Sequence, residues 1–244
     1  MSPASLAWEQ FRLERKLFWR NPSAAFFSFG LPLMLLLLVA SVFASAPDQL
    51  RVVIPGIAAM SVMATTFNAL AINLTFRREQ GLLKRMRGTP MPAGSYFAGF
   101  LGNAVANACV QVALVIVIGH VLYDVTWPRD WLELIVFTLV GVITFGALGI
   151  AMSHAIPNFD SAPAYVNIVF LPVIFISGVF YSADSLPAVL DAVAEALPLK
   201  HVVDGLAGGI VTGAGLGEDL GALAVVVAWG VAGLVLALRG FRWE

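Results

Sequence analysis

Residues 77–92 read RREQGLLKRMRGTPMP. Five of the chain's fourteen Lys and Arg residues fall in these sixteen positions, and a long apolar run lies on either side. Of the 244 residues, 59% are hydrophobic and 12% charged, against roughly 25% charged in soluble domains. Mean hydropathy is +0.88. A soluble fold of this length cannot hide that much apolar surface. The chain therefore reads as an all-α, polytopic membrane protein, and 77–92 as a polar hinge between two spans.

Working outward, six spans are expected at Ala24–Phe43, Ile54–Leu74, Tyr96–Leu122, Leu132–Met152, Ala162–Phe180 and Leu220–Leu238. A helix of about 20 residues crosses roughly 30 Å of hydrocarbon. Short polar connections are expected at 46–53, 123–131 and 154–161. Residues 1–22 lack the apolar core and cleavage site of a signal peptide. Leu6, Phe11, Leu17 and Phe18 approximate one face there, which fits a helix lying in the membrane interface. Residues 181–217 are too long for a turn and too mixed for a span. The stripe Leu186, Val189, Leu190, Val193, Leu197 predicts one short helix, broken by Pro198, and His201–Val211 a second. Both are expected at or partly inside the outer interface. No repeat or linker divides 1–244, so a single domain is expected.

An even number of spans puts both termini on one side. That side then carries 1–23, the hinge 77–92, 154–161 and 239–244, with eleven Lys and Arg. The opposite connections carry only Arg51, Arg129 and Lys200. Positive residues accumulate on the cytoplasmic side, so the termini and hinge are expected in the cytoplasm and the protein in the cell membrane.

Several chemistries lack their residues. There is no phosphate-binding G-x-x-x-x-G-K-[ST] loop and no H-E-x-x-H or G-x-S-x-G motif. His120, His154 and His201 are far apart, and Cys109 is alone in an apolar run, so neither a metal site, a catalytic residue nor a disulfide is expected. No Asp, Glu, Lys or Arg falls in the middle of an expected span, which argues against proton-coupled transport. No nucleic-acid partner is expected.

Two patterns remain. Asn103, Asn107 and Gln111, spaced by four, form a ladder of amides along one side of the third span. Such a ladder either holds helices together by hydrogen bonds or lines a polar path. Ser61, Thr65, Asn68 and Thr75 share a face of the second span. The hydroxyls there can satisfy their own helix's carbonyls instead, and Asn68 joins the candidate path. In the hinge, Leu82, Leu83 and Met86 would form one face of a short helix, with Glu79 the only acid and Pro90 and Pro92 enforcing a stop. A basic loop can serve only to fix topology. A short amphipathic helix ending in a rigid turn is also a suitable peg for a partner's groove.

Arg78-Glu79-x-Gly81-x-x-Lys84-Arg85-x-Arg87-x-Thr89-Pro90 resembles the loop after the second span of type-2 ATP-binding-cassette exporter permeases, the family that includes daunorubicin-resistance, nodulation-factor and polysaccharide exporters. The six-span plan, the N-terminal interfacial helix, Leu171-Pro172 with Ser177-Gly178-Val179-Phe180, and Leu197-Pro198-Leu199 followed by Val203-Asp204-Gly205-Leu206 are similar as well. Leu197 stands where that family carries Asn, and Lys200-His201 where an uncharged pair is common. The resemblance implies two permease chains, alike or paired with a sister chain, enclosing the path. Two separate ATPase subunits would bind ATP and its magnesium ion, so this chain would be no enzyme and hold no cofactor. It assigns the hinge residues Arg78, Glu79, Gly81, Lys84, Arg85, Arg87, Thr89 and Pro90 to coupling with the ATPase. The cargo implied is hydrophobic or amphiphilic: a drug, lipid or lipid-linked glycan. A non-transporting scaffold that recruits a soluble partner through the hinge, or an ATP-independent transporter, would carry the same composition.

Overall fold

The structure, a computed structural model, describes residues 2–88, 91–181 and 187–240. All the regular secondary structure among the described residues is helical. A lead helix, Pro3–Trp19, precedes Pro22–Ala25, a wide π turn at Phe26–Gly30 and the helix Leu31–Val42. The helix Pro47–Glu79 follows, here called the bulged helix because a π turn at Ala64–Asn68 interrupts it. Next come the hinge helix Leu82–Arg87, the ladder helix Ala93–Tyr123 and the central helix Trp131–Ala155. The chain ends with Ala162–Ile176, Ala188–Ala196, a return helix Pro198–Ala207 and a last helix Leu220–Gly240.

Four of these, the bulged, ladder, central and last helices, contain stretches long and apolar enough to cross a membrane. Ser28–Val42 and Ala162–Ile176 are apolar but shorter. Large apolar side chains stand exposed at helical spacing: Leu31, Met34, Leu38 and Val42 on one helix, Val227, Val231, Leu234 and Leu238 on another. In water such stripes would be a liability; facing hydrocarbon they need no cover.

The bulged helix is the hub. Val53, Ile54, Ile57 and Val62 are fully buried in the main core. Its hydroxyls turn back onto the helix: Ser61 Oγ donates to Ile57 O at 2.7 Å, Thr65 to Ser61 O at 2.8 Å and Thr66 to Val62 O at 2.6 Å. These bonds compete with the regular ladder where the π turn opens, a known cause of local bending and widening. The last helix lies at the rim, against the central helix. Thr144 Oγ1 donates to Val226 O at 3.0 Å, across the seam where Gly230 meets Thr144.

Two boundaries differ from the sequence expectation. Residues 47–53, expected as a turn, are the first turns of the bulged helix. Pro47 sits at a helix start, where it loses no hydrogen bond, and Asp48 is in the first turn, where the dipole favours an acid. The fifth apolar helix ends at Ile176 rather than Phe180, and Gly178 takes a left-handed φ of 73° in the turn that follows. The pair of short helices, expected at or partly inside the outer interface, reaches well along the central helix. The return helix runs beside the central helix, with Gly205 on the Phe137 ring and Val202 against Gly141. Trp229 Nε1 donates to Ala196 O at 2.8 Å, next to the Gly230–Thr144 seam. Thr144 is 13 residues past Trp131, about 20 Å along the axis, and the central helix has 25 residues. The hairpin tip is therefore level with the middle of that helix.

Candidate functional site

The hinge begins while the bulged helix is still wound. Arg77, Arg78 and Glu79 form its last turn, and each is tied to a different part of the chain. Arg77 makes a two-pronged ion pair with Glu14 of the lead helix, at 2.7 and 2.6 Å. It also donates to the Tyr96 hydroxyl at 2.8 Å and lies 4.6 Å over the Phe100 ring. Gln10 completes the set by donating to Glu14 at 2.6 Å. Arg78 donates to the carbonyls of Ser153 and Ile156 at the end of the central helix, where a cation complements the helix dipole. Glu79 accepts from the Phe159 backbone N–H at 3.0 Å, while Phe76 and Phe159 meet edge to face.

Gly81 then reverses the chain with φ +66°, a left-handed conformation that glycine adopts without strain. The hinge helix that follows turns Leu83 into a small core with Leu74, Tyr96 and Phe100, with Met86 packed against it. Leu82, expected on the same face, is instead 40% exposed. Leu82 and Leu83 are neighbours about 100° apart around the helix, so on this short helix only one of them turns fully into the core. Lys84 and Arg85 are exposed with Leu82. Thr89, Pro90 and the side chain of Arg87 lie outside the described residues.

The lead helix is built inside out. Gln10 and Glu14 are buried, while Trp8, Leu13, Leu17 and Trp19 are exposed. The expected apolar face is not turned to the protein: Leu17 is exposed, and Phe11 and Phe18 are only half-buried. The helix runs parallel to the ladder helix. Ser95 Oγ donates to Pro3 O at 2.9 Å, Gln10 seats on Gly99, and Arg15 donates to Asn107 Oδ1 at 2.6 Å.

These contacts border a partly open cavity of about 550 Å³ between the lead, bulged and ladder helices. Asn73, Asn103, Asn107 and Thr65 supply polar groups to its wall, and the Glu14–Arg77 pair lies at one side. The amide ladder is thus divided. Asn103 and Asn107 line the cavity, but Gln111 is fully buried away from it, and Asn68 is not among the lining residues. Asn68 Oδ1, Asn103 Oδ1 and both polar atoms of Gln111 are buried without a hydrogen-bond partner. Cys109 is exposed on the ladder helix. Among the described residues, no group of three or more His, Cys, Asp and Glu is placed to hold a metal.

The polar anchors Gln10, Glu14, Arg15 and Tyr96 were not singled out from the sequence. The available signal was Gln10 and Glu14, four apart on one face of the lead helix, a pairing that side-chain spacing permits.

The sequence matches the family described as ABC-2 type transporter over residues 6–211. Nodulation protein J of Rhizobium leguminosarum bv. trifolii is 29% identical over 150 residues, 61% of this chain and 57% of that relative. Linearmycin resistance permease protein LnrN of Bacillus subtilis (strain 168) is 21% identical over 187 residues, 77% of this chain and 48% of its own. Inner membrane transport permease YadH of Escherichia coli (strain K12) is 22% identical over 159 residues, 65% and 61% respectively. The chain thus spans about half to three fifths of the length of these curated relatives. With the match covering most of its residues, the chain belongs to the ABC-2 type transporter family.

Proposed function

We propose that this protein is the membrane subunit of an ATP-driven exporter, with six spans, both termini in the cytoplasm, and ATP hydrolysed by separate subunits. Ser28–Val42 and Ala162–Ile176 serve as the two shorter spans. The observation that carries this reading is the shared Arg77 node. One residue joins the basic hinge to the wall of the polar cavity, so a push on the hinge reaches a space where an amphiphile's polar group fits. A volume near 550 Å³ falls within the range of ligand pockets, roughly 300–1,000 Å³.

The hinge residues divide into two roles on this reading. Leu82, Lys84 and Arg85 point outward and dock in a groove of the ATPase. Arg78 reaches the end of the central helix and Glu79, itself exposed, holds the Phe159 N–H, and the two pass the movement to the central helix and the turn 156–161. Arg87, Thr89 and Pro90 continue the docking segment. Asn103 and Asn107 meet the cargo first, and Asn68 and Gln111 become part of the path only after the helices shift. A second copy of the chain, or a sister chain, completes the path. Two relatives named as permeases, one for linearmycin resistance and one for inner-membrane transport, support a transported cargo.

Affinity purification from the native membrane tests the assignment. A stoichiometric ATPase with a phosphate-binding loop is expected in the wild-type eluate and lost in the variant Lys84→Glu/Arg85→Glu. A protein that purifies alone and still moves substrate in liposomes would overturn it.

A further inference from the structure

The polar cavity presents mainly donors. Glu14 is the acid in its wall, and both of its oxygens are engaged: Oε1 accepts from Gln10 and Arg77, and Oε2 from Arg77. Asn107 Oδ1 accepts from Arg15, which fixes that amide and leaves its Nδ2 group unbonded. Asn103 Oδ1 is buried, so Nδ2 is the polar atom that Asn103 presents to the cavity it lines. Arg20, the residue that caps the lead helix, lines the same wall and is exposed. Its guanidinium has no partner among the described residues. Asn73 and Thr65 are the exceptions: each donates to its own helix and keeps an acceptor, which suits a hydroxyl beside a charged group.

Nor do the charges around the cavity cancel. Glu14 neutralises Arg77. Arg15 is engaged with the neutral Asn107 amide and the Trp19 ring, and Arg20 with no acid, so two positive charges remain without a counter-charge. A guanidinium offers several N–H groups in a geometry that matches the oxygens of a phosphate, and amide N–H groups add neutral donors to the same oxygens. Leu17 and Phe18 lie in the cavity wall with Arg20, giving apolar surface to a chain attached to the bound group.

We propose that this cavity binds a phosphate-type oxyanion, with Arg20 holding its charge and the Asn103 and Asn107 amides donating to its oxygens. That the bound molecule is the cargo rests on the exporter reading; the binding itself does not. The inference adds a sign to that reading: the cavity selects anionic amphiphiles over neutral ones.

The test is equilibrium binding of radiolabelled lysophosphatidic acid to the full chain in phosphatidylcholine nanodiscs, counted above empty nanodiscs. Saturable binding is expected, and a monoacylglycerol of the same chain length should not compete. Arg20→Gln and Asn103→Leu should each weaken binding about 10-fold, the scale of a hydrogen bond to a charged group. Arg20→Lys should retain more of it than Arg20→Gln, because the charge stays. Neither the Arg20 guanidinium nor the Asn103 amide is hydrogen-bonded to the described residues, so removing them breaks no bond there. Arg12→Gln, on an exposed residue paired with Glu9 outside the cavity wall, should bind as wild type does. Displacement by millimolar inorganic phosphate would identify the free ion as a ligand, and resistance to it a phosphate borne on a lipid chain; either supports the site. Absence of saturable binding, equal competition by the monoacylglycerol, or equal weakening by Arg12→Gln would overturn the proposal, the last by showing attraction to a basic helix surface only. The assay uses neither ATP nor transport. A protein that binds the phosphate but has no ATPase partner would sink the exporter assignment and leave this one standing, and a protein that copurifies with its ATPase but does not bind would do the reverse.

Discussion

Glu14 and Arg77 are 63 positions apart and meet with both carboxylate oxygens engaged. Their side chains are only 4% and 16% exposed, so neither charge has water to fall back on. Removing one partner strands the other, at a cost of about 3–5 kcal/mol, whereas replacing both by apolar groups is often neutral. Glu14→Leu and Arg77→Met should each lower the heat-denaturation midpoint of the detergent-solubilised protein, and the double variant should recover most of the loss. Additive losses would mean the two side chains act independently. Gln111 presents the opposite case. It is fully buried with neither amide atom paired, and unsatisfied polar groups cost about 1–3 kcal/mol each. Gln111→Met, similar in shape and without those groups, should raise the same midpoint. An unchanged or lower midpoint would show that the amide finds its partners in the working protein. The spacing of Asn103, Asn107 and Gln111 made the ladder legible in the sequence. Its division did not show, because periodicity gives a face of one helix and not what lies across from it.

Among elements, the apolar runs were readable because hydrocarbon imposes a length and excludes charge, and four of the six expected spans fall on helices long and apolar enough to cross a membrane. The two short helices were legible as a stripe broken by Pro198, but the packing of the second along the central helix was not. The lead helix likewise showed that it was amphipathic but not which face turned inward; polar anchors on the ladder helix decide that. In both cases the deciding contacts are long-range and leave no local pattern. The hinge was legible down to its short helix because its signals are local. Gly81 is one of them. Its φ of +66° costs a residue with a side chain about 1–2 kcal/mol, although there is open space around it. Gly81→Ala should therefore act on conformation alone. Amide hydrogen exchange should speed up in 82–87 and remain unchanged in the central and ladder helices. Gly81→Asn should be milder, since Asn tolerates the left-handed region. Equal protection in Gly81→Ala would mean that packing of Leu83, not the turn, fixes the hinge helix.

At the scale of the molecule, the end of the bulged helix is clamped from two directions. Arg77 holds it to the lead and ladder helices, while Arg78 and Glu79 hold it to the central helix and the turn beyond. A displacement of the hinge therefore cannot remain local, since packed elements move as units rather than deform continuously. Docking and transmission should then be separable by mutation. Lys84→Glu/Arg85→Glu changes the exposed face and should abolish association with the ATPase. Glu79→Ala leaves that face intact and removes the acceptor for Phe159 N–H, so association should persist while transport falls. The expected pattern for Glu79→Ala is normal copurification, ATP hydrolysis within about 2-fold of wild type and transport down about 10-fold, the scale at which a coupling of 1–3 kcal/mol is felt. Glu79→Gln retains a carbonyl acceptor at the same reach and should restore most of the transport, which a purely electrostatic role in docking would not allow. If Glu79→Ala instead loses the ATPase altogether, Glu79 belongs to the docking surface, and the strut to residue 159 carries no force.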